Sequence, residues 1–154
     1  MARRMKITLL VAVLAAVLML VAAVNLVLVF VLFSAYPPAG RPDTELTNFL
    51  APMAVGALPF LVVGALVAWS VLQRSLTNLA VVSGIGLPFM VVLGFWAGLF
   101  ASAQELPVGT PSAAALTTYQ FTWLAALIAD AVTLVMSLFS NLTRKPRLRS
   151  RPLR

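Results

Sequence analysis

The chain has 154 residues, 62% of them hydrophobic, with 11 basic side chains against 4 acidic ones and neither cysteine nor histidine. A soluble domain of this length needs a charged surface, and a mean hydropathy of +1.03 leaves little to build one from. Without Cys or His there are no disulfides, no thiolate or imidazole chemistry and none of the usual zinc or haem ligands, so no metal and no cofactor is expected.

Four apolar runs, at about 7–33, 49–72, 79–102 and 116–140, each supply the roughly 20 residues that a bilayer-spanning helix needs. The first follows Arg3, Arg4 and Lys6, as in a signal peptide, but a signal core is only about 7–15 residues long. A membrane anchor is expected instead. At about 1.5 Å per residue the run spans roughly 40 Å, so it tilts or protrudes. Asn25 is its one strongly polar residue. Pro37, Pro38 and Gly40 then end the helix, and Asp43 and Thr44 offer cap oxygens for the next.

The second and third runs are joined by a tight turn at 73–78, which makes them antiparallel neighbours. They share a string: Leu58-Pro59-Phe60-Leu61-Val62-Val63 matches Leu87-Pro88-Phe89-Met90-Val91-Val92. Such a match suits the remnant of an inverted repeat, with Pro59 and Pro88 freeing the carbonyls of Val55 and Gly84 for an ion. The plainer reading is a pair of kinked helices whose backbones are satisfied by neighbours. Gly64 with Ala68, and Gly94 with Gly98, form small-residue faces that let helices approach closely, within this chain or against another subunit.

A loop at 103–111 carries Glu105, Pro107, Gly109 and Pro111, and 112–119 reads as the start of the fourth helix. Tyr36, Trp96, Tyr119 and Trp123 fall toward one end of their spans and Trp69 toward the other, matching interfacial aromatic belts. The tail beyond 143 has six basic residues: Arg144, Lys145, Arg147, Arg149, Arg151 and Arg154. Directly after a membrane helix these suit anionic lipid headgroups, and without aromatics to stack bases no nucleic acid is expected.

Orientation follows from the basic residues. Four spans put both termini and the 73–78 turn on one side, which holds every basic residue except Arg41; Asp43, Glu45 and Glu105 lie on the other. Both termini are therefore expected in the cytoplasm. The sequon Asn141-Leu142-Thr143 would lie on that same side and is discounted. The vocabulary, rich in Ala, Val, Leu, Arg and Pro, points to a bacterial inner membrane.

Asp130 is the one ionisable residue that no choice of span ends moves out of the membrane, where a carboxylate costs about a few kcal/mol or more. On helix geometry it lies roughly 3 Å to the cytoplasmic side of the midplane, with Asn25 roughly 7 Å to the other side. Ser83 and Thr133 are closer in height. Three readings stand: a neutral acid hydrogen-bonded to a neighbouring helix, a contact with another protein, or a transport residue. A carboxylate without a second acid, His or Lys at its depth makes a poor relay.

The expected fold is an all-α membrane protein, a four-transmembrane-helix bundle with short loops over 1–143 and a basic tail over 144–154. No paired acids and no activated nucleophile are present, so no enzyme is expected. The expected function is a small polytopic subunit or accessory and assembly factor of a larger membrane complex. Its contacts would be Asp130, Gly94, Gly98 and Gly64, made with other subunits or by self-association. The alternative is a small proton- or cation-coupled transporter or channel using Asp130, Asn25, Pro59 and Pro88.

Overall fold

The computed structural model describes residues 2–35, 43–102 and 108–143, with side-chain environments at 5–32, 35, 55–99, 101–102 and 108–143. Four helices make up the described chain: α1 (Ala2–Ala35), α2 (Asp43–Leu72), α3 (Leu76–Ser102) and α4 (Pro111–Leu142). Each is long and apolar enough to cross a membrane. The cap oxygens of Asp43 and Thr44, the 36–42 loop with Tyr36 and Arg41, Glu105, and the tail from Arg144 to Arg154 lie outside the described residues or side chains.

The helices begin earlier than the apolar runs, for local reasons. Thr110, extended at φ −82 and ψ 153, caps α4 by accepting the Ala113 N–H on its hydroxyl. Pro111 is then the first helical residue, where its missing N–H costs nothing. Between α2 and α3 the turn tightens to 73–75. Arg74 takes φ 52, Arg74 N–H bonds Val71 O at 2.9 Å and Ser75 N–H bonds Ser70 O at 3.1 Å. That is a Schellman ending, with Arg in the left-handed position that usually goes to glycine. Ser75 then accepts the Asn78 N–H on its side chain, so α3 starts at Leu76.

The helices form an antiparallel ring in chain order. α1 packs against α2 and α4, α3 packs against the same two, and α1 barely meets α3 across the diagonal. The N-terminal end of α1, the 73–75 turn and the C-terminal end of α4 share one end of the bundle, the turn end. The other diagonal is bridged by side chains, with the Phe60 and Tyr119 rings edge-to-face at 6.3 Å and 86°. The interior is built largely from small residues, among them Ala12, Ala15, Ala22, Ala23 and Ala126. Large ones such as Leu10, Val62, Ile85, Phe89 and Phe121 face outward. A soluble domain does the reverse with its large apolar side chains, so four such helices suit a multi-pass membrane bundle.

The shared string of α2 and α3 does not occupy equivalent places. Phe60 is fully buried whereas its counterpart Phe89 is 56% exposed, and Pro59 is buried whereas Pro88 faces out. A two-fold relation between the helices would give matched residues matched surroundings. Both helices also continue through their prolines.

Candidate functional site along the third and fourth helices

Most polar side chains in these helices satisfy themselves on their own backbone. Asn25 donates to Val21 O, Ser70 to Leu66 O, Thr133 to Ala129 O and Ser137 to Leu134 O, all at 2.8–2.9 Å. A carboxylate has no proton to donate, so it cannot use that solution and needs a donor from elsewhere. Asp130, with no exposed surface, finds it in Ser83, whose hydroxyl donates to Oδ1 at 2.7 Å. Its Oδ2 is buried with no hydrogen-bond partner among the described residues. Asn25 stays on its own helix, and Thr133, close in height, bonds its own backbone.

Asp130 belongs to a series. Seven residues along α3 from Ser83, the Met90 carbonyl accepts Trp123 Nε1–H at 3.1 Å, and Trp123 lies seven residues back from Asp130 along α4. Four residues further along α3 the Gly94 carbonyl accepts the Tyr119 hydroxyl at 2.7 Å, four residues further back along α4. The three rungs keep one antiparallel register, and the seven–four spacing keeps one face of each helix against the other. At the turn end, Asn141 Nδ2 donates to Leu76 O at 3.3 Å. The third and fourth helices are thus laced from end to end.

The belt reading of Tyr119 and Trp123 is corrected by this seam. Tyr119 is fully buried and Trp123 half-buried, each spending its polar hydrogen on α3. Trp69 and Trp96, at 60% and 44% exposed, keep outward positions. The sequence did carry a signal: Tyr119 and Trp123 stand four apart on α4, as Gly94 and Gly98 do on α3, a large pair matching a small pair.

The glycines show why the pairing is close. A Cβ on Gly94 would run into Trp123 Nε1 and come within 2.8 Å of Phe60 Cζ. Gly98 is looser, with Tyr119 Cε1 at 3.5 Å. Gly64 sits on α1, where a Cβ would meet Met19 Cβ at 3.3 Å, while Ala68 is exposed. Gly94 is therefore covered by this chain's own α4 and α2 and Gly64 by its own α1, while Gly98 borders an open hollow and Ala68 faces out.

No protein family, curated protein or solved structure matches this chain. Its own chemistry has to carry the functional reading. Among the described residues no group of three or more His, Cys, Asp or Glu comes together that could hold a metal. Pro59 lines, and Pro88 does not, an outward groove of about 520 Å³ between α2 and α3, formed by residues between Val55 and Leu66 on one side and between Val81 and Leu93 on the other. Gly86 pinches the two helices together there, since a Cβ on it would lie 2.6 Å from Val63 Cγ1. A second hollow of about 330 Å³ lies beside Gly98 between α3 and α4.

Proposed function

We propose that this chain is a non-catalytic subunit or assembly factor of a larger membrane complex, inserted with both termini in the cytoplasm of a bacterial inner membrane, and that it associates through its flank. The observation that carries this reading is the position of the α2–α3 groove. It opens sideways, is apolar along three turns of each helix and leaves Val62, Val81 and Ile85 uncovered. Large outward apolar residues suit lipid, and a concave track of them beside a close helix pair suits another membrane helix. Asp130 supports the reading by what it does not offer. It is enclosed in its own bundle and tied to Ser83, so the association surface moves from the acid and the Gly94 face to the groove. The distribution of basic residues supports the orientation, and the six in the tail are suited to hold anionic lipid.

A small proton- or cation-coupled transporter is the second reading, and one observation favours it: the buried Oδ2 of Asp130, which has no partner among the described residues. Affinity purification of the tagged chain from its native membrane in mild detergent, paired with flux measurements in liposomes, separates the two. The subunit reading expects a co-purifying membrane protein and no flux. A lone monomer that drives a flux lost in Asp130→Asn would overturn it.

A further inference from the structure

Asp130, Thr133, Ser137 and Asn141 follow one another at steps of three and four residues and so lie along one face of α4. The first three have no exposed surface, and Asn141 closes the row at the turn end against Leu76. Ser70 and Ser83, both buried, and the buried Thr8 bring the polar groups of the other three helices into the same half of the bundle. Away from the turn end the same face of α4 continues as Ala126, Trp123 and Tyr119. Ala126 has no polar side-chain atom and the indole N–H of Trp123, bonded to Met90 O, is a donor only, so neither can pass a proton on. One face of α4 is therefore polar from the turn end up to Asp130, set among the apolar Val67, Leu76 and Leu79, and the row is interrupted beyond it.

At the head of this row stands Oδ2 of Asp130, buried and without a partner among the described residues. Thr133 and Ser137 direct their hydroxyl hydrogens to Ala129 O and Leu134 O, which leaves their oxygens able to accept from water or hydronium. We propose that this half of the bundle is a dead-end proton site, in which Oδ2 of Asp130 exchanges a proton with the aqueous phase at the turn end along Thr133, Ser137 and Asn141. Hydronium gives up a proton as the Oδ2–H bond forms, each hydroxyl on the way takes one proton on its oxygen and releases its own from the backbone carbonyl, and the reverse sequence returns the proton to water. An acceptor withdrawn from water without a donor is relieved by a proton more readily than by any group on the surrounding helices. α3 has no charged residue, and α2 has none between Val55 and Leu72. α1 has only Arg3, Arg4 and Lys6 near the turn end, with Lys6 exposed, and Arg74 in the turn is also exposed. The other titratable group of α4, Tyr119, is about 16 Å further along the helix. The site needs no partner and stands apart from the subunit reading.

Infrared spectroscopy of the full chain in lipid nanodiscs tests the proposal. A protonated-carboxyl band should be present and should vanish in Asp130→Asn, which assigns it. On transfer to heavy water its isotope shift should slow on the order of a hundred-fold in Thr133→Val and in Ser137→Val, the loss of a positioned proton-transfer group. Tyr119→Phe, beyond the interruption, should leave the rate unchanged. Thermal melts confirm that each variant is folded, and Ser137→Ala replaces any valine variant that is not. The proposal is overturned if no pH yields a carboxyl band that Asp130→Asn removes. It is equally overturned if the hydroxyl variants exchange as fast as the parent, or if Tyr119→Phe slows exchange as much as they do.

Discussion

The Tyr119 hydroxyl meets the Gly94 carbonyl in the same antiparallel register that sets Asp130 against Ser83, with Trp123 on Met90 between them. The acid that stands out in the sequence is one rung of a ladder, and its neighbours do the same work with neutral groups. Hydrogen bonds between membrane helices average about 0.6 kcal/mol, with a maximum near 1.7. Three in one register fix the rotation of α4 against α3 more than they add to total stability.

The Ser83–Asp130 rung should show in a double-mutant cycle. Ser83→Ala leaves the buried carboxyl without its donor and should destabilise by about 1–3 kcal/mol. Asp130→Asn keeps an acceptor for Ser83 and should cost less. Ser83→Ala combined with Asp130→Ala should fall short of the sum of the singles by about 0.6–1.7 kcal/mol. Equilibrium unfolding in mixed micelles measures the coupling, and strict additivity would mean that the two residues do not interact.

The two glycines of α3 should respond differently to one methyl group. At Gly94 it must displace the Trp123 ring and Phe60, so Gly94→Ala should cost about 1–3 kcal/mol. At Gly98 the nearest atom is 3.5 Å away, an ordinary contact, and Gly98→Ala should change stability by less than about 0.5 kcal/mol. Thermal melts of the pair in detergent decide this, and equal effects would contradict the seam.

The four long apolar helices were legible because an apolar run of bilayer length has few other uses, and 49–72 and 79–102 agree with the ends of α2 and α3 to within a few residues, apart from the start of α2. Starts were less legible because caps set them: Thr110 with Pro111, and Ser75 after the left-handed Arg74. Depth could be estimated from span centres, which placed Ser83 near Asp130. Rotation was legible only in part: α4 carries the periodic polar row Asp130, Thr133, Ser137 and Asn141, whereas the first three helices are apolar nearly all round. Height alone places Tyr119 and Trp123 at an interfacial belt, and only their rotation shows that they face α3. The Leu58 and Leu87 strings are alike in sequence yet differ in rotation, with Phe60 buried and Phe89 exposed.

Arg74 holds φ 52 in a position suited to glycine. Arg74→Gly should stabilise the bundle by about 0.4–1 kcal/mol, as relief of left-handed strain outweighs the added freedom of the unfolded chain. The melt in detergent should rise, and a fall would show that the Arg side chain contributes more than its backbone costs.

The orientation predicts a labelling pattern. With no native cysteine, single replacements Arg74→Cys and Val108→Cys, both at exposed positions, can be probed cleanly. In intact cells a membrane-impermeant maleimide should reach position 108 and should reach 74 only after the membrane is opened. The reverse pattern would invert the topology.

On the proposed function, Asp130 serves the bundle and the α2–α3 groove receives the partner. Native mass spectrometry of the tagged chain released from its own membrane tests this with two variants, Asp130→Asn and Ile85→Trp, the latter filling the α2–α3 groove from an exposed position. The account predicts that Asp130→Asn still carries its partner at the parental stoichiometry and that Ile85→Trp is recovered without it. Loss of the partner in Asp130→Asn, with the complex intact in Ile85→Trp, would contradict it.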